Sequence, residues 1–219
     1  MKMNSTVWWV IGLLILAGGL IWVSNMLRSA SVPTAEESLA TLALVADDHK
    51  KGAEAGRVVL VEYLDFECEA CGAFYPVVKQ MEKEFGDRVT IVARYFPLQG
   101  HKNGMTAALA AEASARQGKF WEMHDLMYER QKVWGEKQVA TPEVFEGYAQ
   151  ELGLDMEQFK TDVASASVKE RVERNLNQAI ELQLQGTPTF FLQGKQITNP
   201  GSPEAFRALI QAELDRVGS

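Results

Sequence analysis

Cysteine is almost missing from this chain: 219 residues contain two, beside three histidines. His49, His101 and His124 are scattered, without the spacing that would complete a zinc site begun by two cysteines. An excess of basic charge is missing as well. The net charge of -7 argues against nucleic-acid binding and against strong attraction to anionic lipid heads. No Gly-rich phosphate loop, internal repeat or low-complexity tract occurs.

What is there is a pairing of those two cysteines, Cys68 and Cys71, in a C-x-x-C spacing. Upstream, Val58 to Leu64 is a β-branched-rich apolar run broken only by Glu62, the pattern of a strand buried on both faces. From Cys68 the apolar spacing becomes helical and continues to about Phe85, so Cys68 falls at a strand-to-helix junction. Unpaired N–H groups and the positive end of a helix dipole favour an anion there, which populates an exposed, attacking thiolate. Cys71 lies one turn further in, close enough to open or close a disulfide. Burial of a carboxylate is costly and raises its pKa, so Glu62 either handles protons or points to a solvated sheet edge. Glu67 and Glu69 flank Cys68. At about 7 Å and a dielectric between about 20 and 80, each carboxylate costs the thiolate roughly 0.6–2.4 kcal/mol. A thiolate less stabilised than in the strongest oxidants is therefore expected, with a more negative potential.

The stretches VEYLDFECEACGAFYP, RYFPL and GTPTFF resemble the thioredoxin superfamily, and within it the DsbA-like thiol:disulfide oxidoreductases, from about Asp47 to the C-terminus. The resemblance implies that Cys68 attacks, that Cys71 resolves the mixed disulfide, and that Glu62 exchanges a proton with the second thiol. It also makes Pro188 a cis-proline facing the cysteine pair, where a reading from the residues alone leaves it a trans strand starter. Thr187 then offers backbone groups to an extended substrate. No cofactor is implied beyond the redox-active Cys68–Cys71 disulfide, and no metal. The intervening Glu69-Ala70 departs from the family, where proline or an aromatic or basic residue is frequent. His101 follows RYFPL in a pattern that recurs in relatives, although a capping or surface role is expected for it. Trp121 and Trp134 read as packing residues, and His49, beside Asp48 and two lysines, as a solvated turn.

Residues 7–27 carry no charge and suffice for a helix of about 30 Å, with Trp8, Trp9 and Trp22 near its ends. The expectation is a membrane anchor over 1–28, against a cleavable signal peptide, then a connector over 29–48 holding a short helix or edge strand. Residues 49–219 form the catalytic domain. Strands are expected at Val58 to Leu64, Val89 to Tyr95, Thr189 to Leu192 and Gln196-Ile197, and a closing helix at Pro203 to Val217. Between them, residues of about 105–185 read as five helices, too long for a loop and fitting an inserted all-helical subdomain. The fold class is thus α/β: a thioredoxin fold with a helical insertion, preceded by a single transmembrane helix.

The function expected is an extracytoplasmic oxidoreductase held in the cell membrane by one span. It donates disulfides to exported proteins with free thiols and is reoxidised by a membrane redox partner. The alternatives are a disulfide reductase or isomerase, and a dithiol metal carrier.

Overall fold

In the computed structural model, residues 42–54 and 56–218 are described, together with residues 18–19. Apart from residues 18–19, the expected anchor lies outside the described residues, as does most of the connector. Among the described residues no helix is long and apolar enough to cross a membrane.

The β-branched runs form the two central strands, β2 (Val58–Leu64) and β3 (Val89–Tyr95), which pair in parallel; β1 (His49–Gly52) runs antiparallel to β3. On the other side β4 (Thr189–Leu192) pairs antiparallel with β2, and β5 (Lys195–Ile197) with β4, giving the order β1-β3-β2-β4-β5. Because strand side chains alternate, Leu60 of β2 packs with α1 (Glu69–Phe85) and α8 (Pro203–Gly218), in a core that includes Met81, Phe85, Phe206 and Ile210. Val61 and Tyr63 face the opposite way, into a core shared with Ala179 of α7 (Ala166–Glu181). A strand covered on both faces explains the nearly unbroken apolar run.

The insertion contains α2 (Gly104–Ala115), α3 (Phe120–Glu129), α4 (Gln131–Trp134), α5 (Pro142–Glu151), α6 (Met156–Val163) and α7. Alanines let α2 sit at its centre: Ala107, Ala108, Ala110, Ala111 and Ala113 are all buried. Trp134 is fully buried against Phe145, and its indole N–H donates to the Met127 carbonyl. The short α4 is absent from the sequence reading, which expects five helices where six are described.

Two expectations change. Residues 42–48, read as connector, contribute to the domain: Leu42 is buried in the core, and the Asp48 carboxylate takes Arg94 Nε at 3.1 Å and Nη2 at 2.9 Å with both side chains fully buried. These residues make turns, with neither the helix nor the strand expected. A buried guanidinium needs such a partner, since removing one member of a buried pair costs about 3–5 kcal/mol. His49 is no solvated turn but the first residue of β1, stacked on Phe120 at 3.7 Å, with Nε2 2.7 Å from Glu112 Oε2.

Candidate active site

Cys68 is the N-cap of α1, in extended backbone (φ -67°, ψ 119°), and its carbonyl accepts the first helical hydrogen bond from Gly72 N–H at 3.0 Å. The thiol is 8% exposed, so it is largely covered rather than standing free as expected. Its Sγ–H donates to the Thr187 carbonyl at 3.3 Å. Its pKa is lowered to about 5: the Cys71 thiol donates to the thiolate, and against burial the Thr187 side chain and the N–H groups of Cys71 and Ala70 do the same. Among the described residues the buried Thr187 hydroxyl oxygen has no hydrogen-bond partner. The peptide bond between Thr187 and Pro188 is cis, as the resemblance implies.

Cys71 is fully buried, and burial, with the neighbouring Cys68 and Glu62, pushes its thiol well above its ordinary value. The two sulfurs are thus held in opposite states, an ionised attacker in front and a protonated thiol behind. Glu62 lies on the α1 face of β2, 6% exposed, and burial raises its carboxyl from 4.5 to about 8. It does not point to a solvated edge: β2 is paired on both sides, with Glu62 in register with Ala93 and Phe190.

The expected penalty from Glu67 is largely removed. Its side chain is buried and accepts the Asn103 N–H at 2.6 Å, so the carboxylate faces the amino end of α2, where helix dipole and free N–H groups neutralise it. Glu69 is exposed and so open to solvent screening, and hydrogen bonding to the sulfur dominates instead.

Three further residues join the site. Asp65 accepts N–H from Glu67 at 2.8 Å and Leu98 at 2.7 Å, and its Oδ2 lies 2.6 Å from His101 Nδ1. Burial resists the charged ring, but Asp65 and then the Cys68 charge hold His101 above its ordinary pKa, so it places positive charge near the thiolate. The surface role expected for His101 is therefore incomplete; its spacing after RYFPL was the available signal. Gln131 carried no such signal. From α4 its Nε2 donates to the carbonyls of Phe66 at 2.8 Å and Cys68 at 2.9 Å, tying the insertion to the start of α1. A side chain at Gly72 would push this amide aside.

A covered cysteine pair at a helix start, with a cis-proline opposite and a buried glutamate behind, sits on a mixed five-stranded sheet of thioredoxin type. The chain belongs to the thioredoxin family, whose model matches residues 45–212. Among solved structures it is similar to Wolbachia pipientis alpha-DsbA1 (TM-score 0.74, 17% identity, 82% of this chain and 96% of that one). It is similar also to Bacillus subtilis BdbD in its oxidised form (TM-score 0.69, 24% identity, 77% and 93%). A thioredoxin-like oxidoreductase from Silicibacter pomeroyi gives a TM-score of 0.65 at 25% identity, over 78% of this chain and 92% of that one. Among curated proteins it is 38% identical over 165 residues to the Na(+)/H(+) antiporter NhaA of Herminiimonas arsenicoxydans, covering 75% of this chain and 25% of that protein. The chain spans about a quarter of the length of the curated relatives it matches.

Proposed function

We propose that this protein is a thiol:disulfide oxidoreductase that donates its Cys68–Cys71 disulfide to other proteins. A thiolate of the client attacks Cys68 Sγ, the Cys68–Cys71 bond breaks, and its electron pair leaves on Cys71 sulfur, which takes a proton from Glu62. The client's second thiolate then attacks the mixed disulfide and expels Cys68 as a thiolate. Two electrons pass from the client to the pair, one client disulfide forms, and of the two client protons one is retained at Cys71 while the other goes to solvent. Leaving as a thiolate is favoured where Cys68 caps α1 with Cys71, Ala70 and Thr187 placed to donate to it, and this position, against the cis Thr187–Pro188 bond, is the observation that carries the reading. Thr187 and Pro188, against Cys68, supply the backbone that an extended client segment would pair with.

The same proposal places the domain outside the cytoplasm, held by residues 7–27, where a disulfide persists and exported proteins with free thiols are the clients. A membrane redox partner returns the pair to the disulfide. The antiporter relatives share a stretch long enough that it necessarily includes Cys68 and Cys71; ion transport is the named activity of proteins of which that stretch is about a quarter.

Direction separates donor from reductase or isomerase. Equilibrated with glutathione, the pair is expected to have a potential less negative than about -220 mV, the glutathione poise. A more negative value reverses the direction and supports the reductase.

A further inference from the structure

Glu62 must return its proton to, or draw it from, solvent once per cycle, yet it is 6% exposed. Among the described residues no side chain hydrogen-bonds its carboxyl, and burial is the one cause of its shift. Its neighbour across the ladder is Ala93, whose small side chain borders a cavity of about 20 Å³ lined also by Glu62, His124, Tyr128, Tyr75 and Lys79. The volume exceeds the roughly 10–15 Å³ that one water needs, and the lining brings the polar side chains of Glu62, His124 and Tyr128 to the same space. His124 lies on α3, 3.0 Å from Asp125 Oδ1 through Nδ1. That contact places N–H on Nδ1 and leaves Nε2 as a proton acceptor. At the outer end Asp125 is paired with Lys79 at 2.7 Å, and both side chains reach solvent, at 22% and 42% exposure.

We propose that one water in this cavity, together with His124, forms the proton route between Glu62 and solvent. It rests on the proton role of Glu62 proposed above. The Glu62 O–H passes its proton to the water, the water passes one to His124 Nε2, and the imidazolium releases a proton to solvent near the Asp125–Lys79 pair. Glutamate is left ionised and the ring neutral, so protons and charge balance and no electron moves. Burial keeps the ring neutral at rest, Asp125 favours its transient charge, and Lys51 and Lys79 from β1 and α1 hasten its discharge. Glu82 of α1 also borders the cavity, with its carboxylate 3.1 Å from Lys51 Nζ.

The test uses the full chain carrying thionitrobenzoate as a mixed disulfide on Cys68, whose coloured release reports attack by Cys71. His124→Phe keeps an aromatic ring in the cluster, and Ala93→Val fills the water space with a residue that suits a strand. In both, release at pH 7 is expected to slow about tenfold. The deficit should shrink above pH 8, where Glu62 is ionised at the outset, and alkylation of Cys68 should be unchanged. A merely structural defect would persist at every pH. Wild-type release at pH 7 in either variant that folds overturns the route. Glu62→Gln is the control: if it too releases at the wild-type rate, the proton role of Glu62 fails and the route with it. If only Glu62→Gln is slow, the role stands and the route alone is wrong.

Discussion

Cys68→Ser is expected to lower catalysed thiol–disulfide exchange about a thousandfold or more, to the uncatalysed rate, with the fold intact. Both bond changes in the cycle occur at this one sulfur, and an alcohol oxygen can neither form a disulfide nor leave as a stable anion at neutral pH. The substitution is small and keeps a donor for the Thr187 carbonyl that now takes the thiol at 3.3 Å, so packing around the site should hold. The measurement is oxidation of a reduced dithiol peptide by oxidised glutathione, with circular dichroism on the same samples. Turnover within tenfold of wild type in a folded Cys68→Ser protein would falsify the assignment of this pair as the redox centre.

Glu62→Gln should make the reduced protein more stable at pH 9 and leave it little changed near pH 4. The sign follows from the direction of the shift. The carboxyl has a pKa of about 8 folded against 4.5 in an exposed chain, so the folded state binds the extra proton between those values. Stability from this group is complete below 4.5 and is lost as pH rises through 8. A rise of about 3.5 units at about 1.4 kcal/mol each amounts to about 5 kcal/mol, comparable with the whole stability of a small domain. Glutamine removes the titration, so the difference in unfolding free energy between variant and wild type should grow with pH. Denaturant unfolding at pH 5 and pH 9 measures it; a difference that stays constant with pH places Glu62 in contact with solvent.

The central strands, the helix after Cys68 and the strand after Pro188 were legible because each obeys a local period. The α4 turn was not, because the four residues from Gln131 to Trp134 are too few to show a period of their own, and Trp134 is held by packing on Phe145 and its bond to the Met127 carbonyl. β1 was missed since HKKG has no alternating apolar pattern; pairing with β3 and the His49–Glu112 contact hold it in the sheet. Within the site, Cys68, Cys71, Glu62, Thr187 and Pro188 come together from three separate segments, as the motif resemblance implied. Charge arithmetic along the sequence misjudged Glu67, whose carboxylate faces the helix that begins at residue 104. Gln131 was invisible, since its two hydrogen bonds span more than sixty residues.

The pH dependence of Cys68 alkylation in the reduced protein measures the ionised sulfur directly. A midpoint near 5 is expected, below an ordinary thiol and above the roughly 3.5 of the most acidic relatives. A midpoint near 8.5 would contradict a thiolate held by the helix start, Cys71 and Thr187, and with it the disulfide-donor mechanism.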